Sequence, residues 1–532
     1  MLVVNMETQN IISIIGGGAV GISLLYHIVK KNTDNYGISN LEINIFEKNS
    51  NVSRGLAYRH GSDANLLNRP ADSMSAIHDN TSDFIHWLTN NDEWKKFYPN
   101  IVFDKNSDLY LPRSLFGMYL ECLFKDTLVM AEKNNIKVNI IREEVINLQK
   151  KQHFYYITTR SGSTYLTSSV VLALGHTHSN NFDSLKESNK YFESPYMTAL
   201  SQQIPKTATI AIIGSRLSAI DAALSFAHSG HIGQMAFISR NGYMPSVRPK
   251  GVFNYKLKII TVKRLHEITG YGAKSLTLKD IETMIVEEVS LAIGRKVIMD
   301  EWLNRPTDAI SYLKRELSKA NCKDVIIWQS VMIALNHVIE FIWQKLSIQD
   351  KKAFVSKYRS RWMAYRVGIP FQNAEKILSL MQESTLFSIS KLEHIVYDKN
   401  IHKFVVSSDS DVPITTFDYA VNATGFCSDI NTTKSILLKN MKKNGLLIPN
   451  QFGGMDLDFD TSRIKDRNGA VHTNLYAVGN LTEGTYFFTS VLELNIGHVN
   501  TITDLLLTRF KSRSFKQNIF SANTFVRGNY VS

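Results

Sequence analysis

Six residues of mostly β-branched apolar character open the stretch NIISIIGGGAVGISLLYHIVKK, residues 10–31, and three glycines then give way to apolar positions at helical spacing. That order predicts strand, tight turn and helix. LEINIFEKN, which follows a short loop, alternates and predicts a second strand. From Asn51 to about Pro112 the chain is irregular, rich in Asn, Asp, Ser and Pro, and too long to be a mere connection, so it is expected to carry function. Helical spacing resumes in LFGMYLECLFKDTLVMAEKNN. VNIIREEVINLQ and FYYITTRSGSTYLTSSVVLALG read as strands, and a second strand, turn and helix begins at Thr209.

This repeats the mononucleotide-binding pattern. Between about Tyr255 and Gln382 the texture is almost wholly helical, and strands return at KFVVSS, DYAVNATG and LYAVGN before a helix near HVNTITDLLLTRF. The expected fold is α/β: two Rossmann-like dinucleotide-binding domains with a large helical insertion. The first domain is expected to be discontinuous, over 1–204 and 391–532, with the second domain at 205–254 and the insertion at 255–390.

At 532 residues the chain exceeds one hydrophobic core, and 44% hydrophobic with 20% charged residues is ordinary for a soluble protein. The N-terminal MLVVNMETQN has no basic stretch followed by a long apolar run, and WQSVMIALNHVIEFIW is interrupted by Gln329, Asn336, His337 and Glu340, so neither a signal peptide nor a membrane span is expected. Three cysteines without a CxxC element suit a reducing cytoplasm. The formal charge of +12 is scattered in short clusters rather than gathered in one basic arm, which argues against nucleic acid as partner. Oligomeric state stays open, a homo-oligomer included.

In IIGGGAVG the glycines fall at Gly16, Gly18 and Gly21, with Glu47 closing the next strand. The first glycine permits the turn, the second admits a pyrophosphate to the backbone, the third lets helix pack on strand, and the acid receives ribose hydroxyls. Ala19 and Val20 complete the helix start. VVLALGH, YAVNATGFCSD and LYAVGNLTEGT each end an apolar run on a glycine, at Gly175, Gly425 and Gly479, the last followed by Asn480. In this order the motifs resemble those of two-dinucleotide-binding-domain flavoproteins, which implies FAD in the first domain, against all of these residues, and NAD(P)H in the second.

RGLAYRHGSDANLLNRPADSMSA and LYLPRSLFGMYLE carry a closer resemblance, to the G-x-A-Y, L-L-N-x-P-A-x-x-M-S and P-R-x-x-F-G-x-Y-L signatures of the FAD/NAD(P)-binding protein family. That family includes the flavin-dependent aspartate N-hydroxylase that makes nitrosuccinate and is related distantly to lysine and ornithine N-hydroxylases. The resemblance runs from about Ile11 to Leu507 and implies FAD contacts for Asn68 and Arg113 on its loops. It departs from the pattern at Asn480, where many flavoproteins have aspartate, and at Tyr365 and Val367, where the family often shows histidines.

In the second turn, ATIAIIGSRLSAIDAALSF, Arg216 stands where the second glycine belongs, between Gly214, Ser215 and Ser218. Its side chain obstructs the closest backbone approach, yet its permanent charge and forked geometry could clamp a phosphate; a lost nucleotide site is the other reading. Arg240 ends the following strand where an acid would mark NAD, so NADPH is the expected donor.

Arg59, Arg69, Arg113, Arg361 and Arg366 accompany the family signatures, and Arg69 and Arg366 are the substrate candidates, suiting a carboxylate-bearing amine. His176, His178, His228 and His231 lack a third partner at metal-ligand spacing, so no metal is expected. The tryptophans of the helical insertion read as core. The resulting expectation is an NADPH-using, FAD-dependent monooxygenase acting on the nitrogen of a small amine or amino acid. The alternatives are a flavin oxidoreductase that inserts no oxygen and a flavin-binding module with a closed NADPH site. Substrate, oxidised atom and pathway are not legible.

Overall fold

The computed structural model describes residues 10–103, 110–175, 181–197, 200–251, 254–299, 308–409, 414–425 and 427–527, with side chains as far as 512. The strands of its two parallel sheets are, in chain order, β1 (Asn10–Ile15), β2 (Leu41–Phe46), β3 (Lys137–Ile141), β4 (Ser169–Leu172), β5 (Tyr191–Phe192) and β6 (Ile210–Ile213). Then come β7 (Met235–Ile238), β8 (Leu386–Ile389), β9 (Tyr419–Asn422), β10 (Arg463–Lys465) and β11 (Val471–Ala477). The first sheet runs β10-β11-β4-β1-β2-β3, parallel except for β10. The second runs β8-β7-β6-β9-β5 and is wholly parallel. Covered on both faces, their central strands are continuous apolar runs rather than alternating ones.

Helices α1 (Ala19–Lys31), α2 (Arg113–Lys133) and α3 (Leu217–His228) follow or flank the glycine turns. The insertion contributes α4 (Leu278–Ile293), α5 (Ala309–Lys319), α6 (Lys323–Ala334), α7 (Ile339–Lys345) and α8 (Arg359–Arg366), followed by α9 (Phe371–Gln382) and, near the end, α10 (Leu492–Arg527). On one face of the first sheet Ile12, Ile14 and Tyr476 pack with α1 and α10. On the other face Val170 and Leu172 pack with the antiparallel hairpins of residues 145–167. The second sheet is covered by α3, α5 and α9 on one face and by the antiparallel strands of residues 392–417 on the other.

The two-domain α/β expectation holds, but its boundaries move. Lys403–Ser408 and Tyr419–Asn422, expected in the resumed first domain, belong to the second unit: β9 lies beside β6, and Phe404 and Val406 pack beneath Ala211 and Ala236. That unit therefore begins at β5, before residue 205, and ends after β9. The first resumes in the segment of Ile430 and Leu437, which joins its core. A short apolar run ending in glycine looks the same whichever sheet it joins.

The irregular segment is a packed layer on α2. Leu67, Met74, Phe84 and Trp94 bury against Leu115, Phe116 and Tyr119. Gly117 is required because a Cβ there would sit 2.0 Å from the Tyr58 carbonyl oxygen. The insertion has its own core around Met284, Val289, Trp328 and Trp343, and closes on Phe487 and Phe488 of the first unit. Trp343 Nε1–H donates to the Gly484 carbonyl at 2.9 Å, which pins the insertion there. No single helix among the described residues is long and apolar enough to cross a membrane; α6 and α7 together pass by composition but with a 65° bend between Lys323–His337 and Ile339–Lys345.

Candidate functional site

Gly16 leaves β1 with φ of +113°, and a Cβ there would lie 2.2 Å from the Ala173 carbonyl oxygen. Gly21 fails in the same way against the Gly16 oxygen, at 2.0 Å. Gly18 is the N-cap of α1, without a capping side chain and without an acid in the first turn, so the amides of Ala19 and Val20 face outward unclaimed by side chains. Gly55 stands opposite, leaving a cradle between two glycines whose floor is backbone alone. Glu47 accepts from Gly17 N–H through Oε2 at 3.0 Å and from the backbone and side-chain N–H of Asn49 through Oε1, which fixes the carboxylate at the turn.

β4 ends beside β1 and β11 beside β4, and the glycines beyond them, Gly175 and Gly479, have nothing within 4 Å of where a Cβ would be. The carboxyl edge of the first sheet is thus open backbone from the glycine turn to the start of Asn480–Thr482. Asn68 lies half-buried in the loop layer. This edge fits an extended dinucleotide: a tight turn, free helix amides for a pyrophosphate, an anchored acid for a ribose, and side-chain-free strand ends.

The second turn repeats the first. Gly214 has φ of +132° and a Cβ there would meet the Ala423 oxygen at 2.5 Å, while Ala219 is fully buried in the packing position. Arg216 is the N-cap of α3 at φ −110° and ψ −161°, close to the −82° and −169° of Gly18. Nothing in the backbone demands glycine there, so arginine intrudes only through its side chain. Partial burial of its guanidinium, and then the charges of Arg359 and Arg240, hold that side chain below its usual pKa. Three guanidiniums therefore converge where a nucleotide would lie, and only Arg359 has a described carboxylate partner, Glu483. Ser215 turns its hydroxyl to the Tyr243 carbonyl at 2.9 Å, and Ser218 meets the Tyr196 hydroxyl at 3.3 Å.

Two residues expected at FAD are engaged with the second unit. Gly425 follows β9, the neighbour of β6, and so belongs to the second turn. Arg113 is engaged with the second unit: its guanidinium lies 3.0 Å from buried Asp221 of α3, its Nε–H donates to the Leu66 carbonyl at 3.0 Å, and Tyr196 donates to the same Asp221 at 2.7 Å. Burial is the largest influence and opposes the charge on Arg113, but Asp221 together with Tyr196 and Tyr58 holds the group above its ordinary pKa. An acid on the buried face of α3 must have a cation, and Arg113 is that cation.

Of the substrate candidates, Arg69 pairs with Glu493 at 2.7 Å. Arg366 is buried beside Arg248, which went unnoticed in the sequence, and the ring of Phe488 lies 4.9 Å from its guanidinium carbon. His231 packs on Phe226, whereas His176, His178 and Trp302 lie outside the described residues. Asp221, Arg248 and Arg359 were missed. Only Asp221 had a signal, being the single acid in the apolar stripe of α3.

Residues 13–177 match the family model described as FAD-NAD(P)-binding, and residues 125–297 match that described as pyridine nucleotide-disulphide oxidoreductase. No curated protein matches the sequence. Among solved structures, the reduced ornithine hydroxylase of Pseudomonas aeruginosa superposes with a TM-score of 0.57 at 13% identity, over 93% of this chain and 98% of that one. The L-lysine 6-monooxygenase of Pseudomonas syringae does so at 0.54 and 13%, over 94% and 99%. The ornithine N-hydroxylase of Kutzneria sp. 744, with reduced FAD, NADP+ and L-ornithine, gives 0.54 and 14%, over 94% and 99%. At such identities the likeness speaks for the fold. The chain is thus built on FAD- and NAD(P)-binding domains of the pyridine-nucleotide oxidoreductase type.

Proposed function

We propose that the protein is an FAD-dependent, NADPH-using monooxygenase that hydroxylates the nitrogen of a small amine or amino acid. The observation that carries this reading is the pair of glycine turns, each opening an uncapped helix at the edge of its own parallel sheet, with a helical insertion closed over the first unit. The three structures above, two acting on ornithine and one on lysine by their names, support the reaction class. The overall balance is R–NH2 + O2 + NADPH + H+ → R–NHOH + NADP+ + H2O.

Bound at the first turn, FAD would supply hydride acceptance and oxygen activation. The chain's own residues bind and enclose. Gly16, Gly18, Ala19, Val20 and Gly21 would hold the pyrophosphate through backbone, Glu47 would receive the ribose, and Gly175, Gly479 and Asn480 would line the cofactor at the strand ends. Arg216 and Arg240, with Arg359 behind them, offer bidentate donors to a 2′-phosphate, which favours NADPH over NADH. Phe487, Phe488 and the insertion's aromatic core keep water from the space above.

Anaerobic mixing of FAD-loaded protein with NADPH should bleach the flavin band, and readmitted oxygen with the correct amine should yield a product heavier by one oxygen atom. Peroxide alone from every amine tested would favour the oxidoreductase without oxygen insertion; failure to bind FAD at all would end the reading.

Two substitutions test the contacts. Glu47→Ala removes a charged acceptor from Gly17 N–H, a bond worth about 1.5–3 kcal/mol, so FAD affinity should fall roughly 10- to 150-fold by fluorescence titration. Arg240→Ala should raise the KM for NADPH by a similar factor while moving that for NADH less than about threefold. Arg216→Gly discriminates the readings of that residue: weaker NADPH binding means a clamp, and faster flavin reduction means an obstruction.

A further inference from the structure

Arg248 and Arg366 are 6% and 4% exposed, and no carboxylate among the described residues pairs with either. Their partners are neutral: Arg366 donates to Asn336 Oδ1, and Arg248 to Gln329 Oε1 at 3.3 Å and to the Arg366 carbonyl at 3.5 Å. Arg366 Nε is buried with no partner. Glu493, whose charge reaches Arg366, is committed to Arg69 at 2.7 Å, leaving three guanidiniums against one carboxylate. Burial first, and then Arg248 and Arg69, push Arg366 down to about 9. Buried charge without a counter-charge is costly, and an arginine pair held this way is completed by an anion.

The position fits a substrate. Arg366 ends α8, whose first residue, Arg359, belongs to the cationic cluster of the second turn, and eight helical residues span about 10 Å. Phe488 stacks over the guanidinium and comes from the segment that follows Gly479 at the open edge of the first sheet. The pair is thus tied to both units, through α8 to the cationic cluster of the second turn and through Phe488 to the segment beyond Gly479, with a ring on one guanidinium face and the Nε–H without a partner.

We propose that Arg248 and Arg366, backed by Phe488, receive the carboxylate of the substrate, so that the enzyme selects amines bearing a carboxylate over the same amines without one. This rests on the monooxygenase reading above and adds the substrate class and the residues that read it.

The test is thermal denaturation of FAD-loaded full-length protein at constant ionic strength with a panel of L-amino acids, each set against its carboxamide. At least one acid is expected to raise the midpoint by several degrees where its carboxamide does not. Arg248→Met and Arg366→Met should each weaken that acid's apparent affinity on the order of 10- to 100-fold, and the lysine variants should recover part of it. With flavin still bound, both methionine variants should match or exceed the ligand-free wild-type midpoint, because an uncompensated buried charge has gone. The proposal is overturned if acids and carboxamides act alike, if no acid acts, if the methionine variants keep the response, or if they raise the KM for NADPH instead. Flavin reduction by NADPH is followed separately: reduction without any carboxylate effect removes this site and leaves the oxygenase, whereas a carboxylate effect without reduction removes the oxygenase and leaves the site.

Discussion

Valine at position 16 will give a chain that holds no flavin and loses much of its resistance to denaturant, whereas alanine at position 18 will give one that folds normally and still fails to hold flavin. At Gly16 the backbone sits at φ of +113° and the new Cβ would fall 2.2 Å from the Ala173 oxygen, main chain that cannot yield without dragging the end of β4. A β-branched residue in that conformation costs about 1–3 kcal/mol before the clash is counted. At Gly18 φ is −82° and the nearest atom to a new Cβ is Gly55 Cα at 3.4 Å, ordinary contact. The methyl group fills the cradle and nothing else. Denaturant midpoints together with the ratio of flavin to protein absorbance separate the two effects. A Gly18→Ala protein that binds FAD as tightly as the wild type would show that the dinucleotide does not cross this turn.

The second large effect is expected at Arg113. Arg113→Leu leaves Asp221 buried without a cation and should cost about 3–5 kcal/mol, a loss that the further change Asp221→Leu should largely restore. Denaturation of the two single variants and the double gives the coupling energy directly. Because Arg113 begins α2 in the first unit and Asp221 lies on α3 in the second, the pair also ties the two units together. The single variants should therefore reduce the flavin more slowly with NADPH than the double does. A coupling near zero would mean that the two groups do not form the pair.

Both glycine turns, the helix after each and the helical insertion were legible because they are local: periodicity and glycine spacing act within about twenty residues. Membership of a sheet was not. DYAVNATG carries no sign that it will lie beside Ile210–Ile213 rather than Asn10–Ile15, since both neighbours are equally apolar. The same limit explains Arg113. Its signature was visible, but its partner is 108 positions away, and only the packing of α3 against the loop layer brings them together. Arg248, in PSVRPKG, looks like a surface arginine, and it becomes buried because α6 presents Gln329 to it. Arg366 was picked out by resemblance, and its place beside Arg248 came from the fold.

The order of strands in the first sheet has a consequence during synthesis. β4 can be completed on its outer side only by β11, and α1 is covered by α10, with Lys31 Nζ 2.8 Å from Asp504. About 300 residues separate the end of β4 from the start of β11. At ribosomal rates of about 5–20 residues per second, the growing chain waits roughly 15–60 s with one flank of an apolar parallel sheet uncovered. The second unit is made during that interval and can close on itself, and the insertion forms all of its core but the part that Phe487 and Phe488 later complete. The first unit cannot, so the nascent chain should depend on holding chaperones until Leu475 and Val499 emerge, and flavin, which needs the edge formed by both halves, can enter only after that.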